Sequence, residues 1–154
     1  MGTRSLTVVK EQEWKTEDGE IIPAKEIMVM YRQMDGYPEG HGAELVNAFG
    51  DIKICNGYGT EQSSGKWANG MGCLAAQVVA HFKTEIGGIY LEPSGTRDSG
   101  EEYVYTLYPK TLESKETVLC LKVEKCGWGD TPSEVLYDDV LYAAKQNPIF
   151  GLKK

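Results

Sequence analysis

The chain has 154 residues, 41 % apolar and 25 % charged, with a formal charge of −7 and a pI near 4.9. These values fit one folded domain over residues 1–154 and exclude a disordered chain or a coiled coil, while the acidic balance, with no Lys/Arg cluster to offset it, argues against nucleic acid. No run approaches the ~20 apolar residues that cross a bilayer, and Met1–Ser5 has no apolar stretch behind its one positive charge, so a cytoplasmic protein with no membrane partner is expected.

In chain order, Leu6, Val8 and Val9 among polar neighbours predict a first strand over 5–13. Asp18-Gly19 signals a turn, and Ile27, Val29 and Tyr31 alternate with Met28, Met30 and Arg32 in a second strand that forms a hairpin with the first. Pro23 lacks a backbone donor and marks an irregular start to that strand. Three glycines and a proline between Asp35 and Gly42 demand a tight, fixed loop. A short helix over 43–49 follows, with Gly50 as a left-handed stop.

The segment 51–58 reads as a strand and 59–70 as an exposed polar loop. Met71, Leu74, Ala75, Val78, Val79 and Phe82 then fall on one face of a long helix. Ile89 to Leu91 starts a strand after Gly87-Gly88, and 93–100 reads as a loop. Tyr103 to Tyr108 and Val118 to Val123 form a further antiparallel pair. Thr131-Pro132-Ser133-Glu134 has the form of a capping box with proline at the first helical position, which predicts a last helix carrying Val135, Leu136, Val140, Leu141 and Ala144 and stopped by Pro148. This order lacks regular βαβ alternation and predicts an α+β fold, mainly an antiparallel sheet with two or three helices on one face.

Cys55, Cys73, Cys120 and Cys126 are too widely spaced for paired thiolate ligands, the tightest interval leaving five residues between. They are expected as free thiols. With His41 and His81 the only histidines, no metal and no cofactor is expected. Cys73, opening the long helix, would gain nucleophilicity from the helix dipole if His41 came near it.

The densest chemistry lies in Tyr31-Arg32-Gln33-Met34-Asp35-Gly36-Tyr37-Pro38-Glu39-Gly40-His41-Gly42. Glycines let a ligand approach backbone N–H groups, and the following helix start favours an anion. On that basis Arg4, Ser5, Tyr31, Arg32, Gly36, Tyr37, Gly40 and Asn69 are candidate ligand-binding residues, with Arg4 and Ser5 brought to Arg32 by the hairpin. His41 is the candidate general acid/base and Asp35 its orienting partner. The bland alternative is a rigid turn in which Asp35 caps amides and Tyr37 packs on the sheet. Neither a P-loop nor a Rossmann pattern is present.

The opening Met1-Gly2-Thr3-Arg4-Ser5, the Tyr31–Gly42 segment and the run Ala68-Asn69-Gly70-Met71-Gly72-Cys73-Leu74-Ala75-Ala76-Gln77 together resemble a family of small uncharacterised bacteriophage and prophage proteins. The likeness covers most of the chain and brings no agreed activity. It implies a setting, interference with host functions such as nucleotide-signalled defence. The expectation is a phage-encoded domain, a homo-oligomer, that sequesters a small anionic molecule such as a signalling nucleotide. The alternatives are a hydrolase of such a ligand using His41 and Asp35, and an inhibitor that binds a host protein through its acidic surface.

Overall fold

The computed structural model describes residues 2–57 and 66–152. Of the exposed polar loop predicted over 59–70, residues 59–65 lie outside the described residues, while Trp67–Asn69 form a strand with Ala68 fully buried. The strands are β1 (Ser5–Lys10), β2 (Trp14–Lys15), β3 (Ile21–Ile22), β4 (Glu26–Arg32), β5 (Lys53–Cys55), β6 (Trp67–Asn69), β7 (Ile89–Glu92), β8 (Tyr103–Thr111), β9 (Thr117–Lys125) and β10 (Glu134–Val140), with helices α1 (Ala43–Phe49) and α2 (Gly70–Phe82). The main sheet runs β10-β9-β8-β1-β4-β7. Every neighbouring pair is antiparallel except β1 with β8. The fold is therefore α+β, a mostly antiparallel six-stranded sheet with two helices.

The helices share one face of the sheet, because the period-2 alternation of the strands and the apolar stripe of α2 meet there. Val9, Met28, Met30, Tyr105, Leu107 and Leu121 from the strands pack with Leu45, Val46 and Phe49 of α1 and Leu74, Val78 and Phe82 of α2. Leu6, Val8, Val29 and Val104 form a smaller cluster on the opposite face. Among the described residues no helix covers them. β7 and β8 point the same way with β4 and β1 between them, so segment 93–102 crosses back over the sheet. Arg97 lines a cavity with Thr106, Tyr108 and Lys122, which puts the crossing on that second face. Arg97 anchors it with two bonds to the Glu26 carboxylate, at 2.7 and 3.3 Å. Burial raises the Glu26 pKa, but the bonds from Arg97 and the Gly95 N–H outweigh it and hold the group below its ordinary value.

Four further expectations need correction. The predicted last helix is the strand β10 followed by a 3₁₀ turn, Tyr142–Gln146. The apolar residues at 135, 136, 140, 141 and 144 fit a helix locally, but the outward backbone groups of β9 between Cys120 and Lys125 would then be left unpaired, and β10 pairs with that stretch while burying Tyr137. Residues 38–42 form a π-helical turn continuous with α1, so the glycine-rich loop is regular over half its length. Of the strand predicted over 51–58, Tyr58 lies outside the described residues, and within 51–57 the strand contracts to β5, which pairs in parallel with β6 outside the main sheet. Gly50 ends α1 in a right-handed conformation, φ −60°. A glycine is needed there for space, since a Cβ would stand 2.5 Å from the Val46 carbonyl oxygen and 2.8 Å from Lys145 Cε.

The same reasoning separates two other glycines. A Cβ on Gly42 would meet the buried Phe150 ring at 2.8 Å, whereas one on Gly72 meets nothing within 4 Å. Gly42→Ala is expected to cost about 1–3 kcal/mol by overpacking. Gly72→Ala, inside α2, is expected to stabilise by about 0.5–1 kcal/mol. Urea denaturation midpoints of the two variants check both signs.

Candidate functional site

β1 and β4 pair with Ser5 opposite Arg32, which places Ser5, Thr7 and Arg32 on the helix face of the sheet at one end. The chain leaves β4, turns at Asp35 and drops His41 onto that face. Asp35 has φ 60°, a left-handed conformation that aspartate tolerates better than most residues. Its carbonyl accepts the His41 N–H at 2.9 Å, which closes the turn. Tyr105 closes it from below, donating its phenol to the Gly36 carbonyl at 2.6 Å. Burial, then the nearby Tyr103 and Glu39, push the Tyr105 pKa up, so it stays a donor.

His41 is fully buried, with its ring packed against Phe82 at 4.7 Å and Tyr105 at 4.9 Å. Nδ1 lies 3.0 Å from Arg32 Nη1, and Nε2 lies 2.6 Å from Thr7 Oγ1. A guanidinium only donates, so Nδ1 must be the acceptor and Nε2–H donates to Thr7. His41 is neutral as a result. Burial, reinforced by the charges of Arg32 and His81, lowers its pKa from 6.5 to about 3. The network continues outward, from Arg32 Nη1 to Glu44 Oε1 at 3.3 Å and from His81 Nε2 to Glu44 Oε2 at 3.3 Å. Arg32 Nε donates to the Met34 carbonyl at 2.7 Å. Arg32 Nη2 has no partner among the described residues.

Beside this guanidinium lies an open cavity of about 270 Å³, lined by Arg32, Met34, Asp35, Phe82, Thr84, Glu85, Gly87, Gly88 and Ile89. Gly87 and Gly88, both at positive φ, turn the chain back into β7. The lining therefore includes one cationic residue, Arg32, two acidic residues, Asp35 and Glu85, and the apolar Phe82 and Met34.

The candidate residues divide accordingly. Arg32 and His41 are brought together, and Arg32 and Asp35 reach the cavity. The Asp35 carboxylate turns toward the Tyr37 hydroxyl at 3.4 Å instead of the imidazole, so the expected acid/base pair is not formed. Gly36 and Gly40 do not open the backbone to a ligand. Their N–H groups bond to the carbonyls of Thr3 and Tyr37, and the space where side chains would stand is filled by Ser5 for Gly36 and by the Asp35 carbonyl and Tyr37 ring for Gly40. Ser5 is buried and its Oγ has no hydrogen-bond partner among the described residues. Arg4 lies against Gly100, apart from Arg32, and Tyr31 points to the other face against Tyr90. Asn69 accepts from Gly57 N–H at the start of α2, ~18 Å of helix away from Phe82. Cys73 is exposed, ~13 Å along the same helix from Phe82, and does not meet His41.

Thr7, Glu44, Thr84 and Glu85 had no sequence signal of their own, and Phe82 and Gly87–Ile89 stood out only for a helix stripe and a turn into a strand. Thr7 shares the period-2 face of Ser5, and only that parity hinted at it. Comparison with family models, curated proteins and solved structures gives no match to this chain. Among the described residues no group of three or more His, Cys, Asp or Glu is placed to hold a metal, and no helix is long and apolar enough to cross a membrane.

The buried neutral imidazole makes stability pH-dependent. The unfolded chain protonates His41 near pH 6.5 and the folded chain only near 3, so its contribution is complete above pH 6.5 and is lost as pH falls toward 3. The loss is at most about 1.4 kcal/mol per pH unit for one proton. Gln can donate and accept in place of the imidazole without titrating. His41→Gln is therefore expected to flatten the acid side of the stability curve by up to one proton, as read from urea unfolding between about pH 7 and 4.

Proposed function

We propose that the protein is a non-catalytic binding protein that captures the anionic end of a small molecule, of mononucleotide size or less, beside Arg32. The carrying observation is the state of the guanidinium. Nε and Nη1 are held by Met34, His41 and Glu44, while the unpartnered Nη2 belongs to a side chain that lines an open cavity. A fixed guanidinium with a free edge is suited to phosphate or carboxylate, because its orientation need not be frozen on binding. The cavity lies just below the range of about 300–1,000 Å³ that houses drug-sized ligands, which favours a compact ligand. Asp35 and Glu85 disfavour a second anionic group and accept from a donor such as an exocyclic amine. One anion and one donor on a small frame match this lining, and a polyphosphate does not.

The resemblance to phage proteins supplies the biological reading, sequestration of a host signalling nucleotide. Hydrolysis by His41 and Asp35 has less support. A general acid/base needs access to the reacting atom, and both imidazole nitrogens are committed inside the core.

Calorimetry with inorganic phosphate and with single mononucleotides tests the reading. Arg32→Lys keeps the charge but loses the fork and is expected to weaken binding at least about tenfold. Glu85→Gln removes a competing carboxylate and should strengthen it. Mass spectrometry of small molecules released on denaturing the purified protein should show intact ligand. Cleaved ligand, or affinity unchanged in Arg32→Lys, would overturn the proposal.

A further inference from the structure

We infer that β7 is a dimerisation edge, at which two copies of this chain join through Leu91 about a twofold axis. The inference is independent of the ligand-binding reading. Gln33 N–H donates to the Gly88 carbonyl at 2.9 Å, which makes Arg32 and Ile89 a non-hydrogen-bonded pair. By alternation, Tyr90 and Glu92 turn their N–H and C=O toward β4, and Ile89 and Leu91 turn theirs away from the sheet. Those of Ile89 are occupied, the N–H by the Gly87 carbonyl at 2.8 Å and the C=O by Lys83 Nζ at 2.9 Å. Pro93, the next outward position, has no N–H, and its carbonyl accepts from Thr96 N–H at 3.1 Å. Leu91 has no partner for either group among the described residues. The open edge is one residue wide.

An edge closed on both sides of one open residue cannot template an indefinite sheet. It does match itself. Leu91 against Leu91 of a second copy, antiparallel, makes a reciprocal pair of N–H···O=C bonds, the arrangement a twofold axis generates. In that register Tyr90 stands opposite Glu92 of the second copy, on the same face of the sheet. Lys83 Nζ lies 5.6 Å over the Tyr90 ring, with two of its three donors on Gly87 and Ile89 carbonyls. The third is available to that carboxylate, and symmetry repeats the pair.

The apolar surface points to the same edge. Leu91 is 62 % exposed, Ile86 99 % and Tyr90 47 %, an apolar concentration that an isolated copy leaves in water. The other edge of the sheet, β10, carries Asp138 and Asp139 and a register shift between Val135 and Tyr137, which spoil any self-match.

A contact with one open rung is small, so the dimer is concentration-dependent. Sedimentation from about 10 µM to about 1 mM should show a monomer–dimer equilibrium, and exchange of the Leu91 amide with solvent should slow as dimer forms. Leu91→Lys places two like charges at the axis and should yield a monomer throughout, while Val135→Lys on the opposite edge leaves the equilibrium in place. Glu92→Gln should weaken the dimer several-fold and lower its salt sensitivity. A wild-type monomer across this range, with Leu91 amide exchange independent of concentration, or a dimer that Leu91→Lys does not disturb, would overturn the inference.

Discussion

The hydrogen bond from Arg32 to the buried His41 imidazole is the contact on which the rest of this end of the molecule depends. Arg32 ends β4, Thr7 sits within β1, His41 comes from the π-helical turn and Glu44 opens α1, and one chain of bonds ties all four together. The chain works only with His41 neutral. A charged imidazole would turn an Nδ1–H donor toward a guanidinium that can only donate, and burial would penalise the charge further. The core thus selects the uncharged ring, and the uncharged ring then supplies the acceptor that fixes the arginine.

This arrangement sorts one chemical neighbourhood into two roles. The glycine-rich turn, whose N–H groups looked free to meet a ligand, is spent on packing and internal bonding, with Ser5, Phe150 and its own carbonyls filling the places where side chains would otherwise stand. Its rigidity is what it contributes. The polar surface left for a ligand lies one step away, where Arg32 meets Asp35 and the Thr84–Ile89 segment that returns from α2 into β7. The same short segment also shapes the outer edge of the sheet, since Lys83 and Gly87 occupy the backbone groups of Ile89 and leave Leu91 open. Cleft and edge are two consequences of how the chain gets from α2 to β7.

The strands were legible where alternation was clean. β1 with β4 and β8 with β9 follow from period-2 apolar patterns, and α2 follows from six apolar residues on one stripe. The stretch 134–146 was not legible, because its apolar spacing suits a helix and a strand about equally and a capping-box pattern tips the local preference to helix. The vacant edge of β9 decided it. Arg32 and His41 stood out in the candidate site as charged and titratable residues in a loop dense with glycine. Their partners did not, since Thr7 is 34 residues from His41 and looks like any strand threonine.

Residue order alone therefore determined what depends on near neighbours: the α+β class, most element positions, the acidic charge, and the clustering of Arg32, Asp35 and His41 in one segment. Tertiary structure decided which of those groups face water. Burial sets the protonation of His41, the crossing of segment 93–102 covers the second face, and the pairing of β4 with β7 dictates which amides point outward. These outcomes depend on contacts between residues distant along the chain, and solvent exclusion at such contacts has no counterpart in any local pattern.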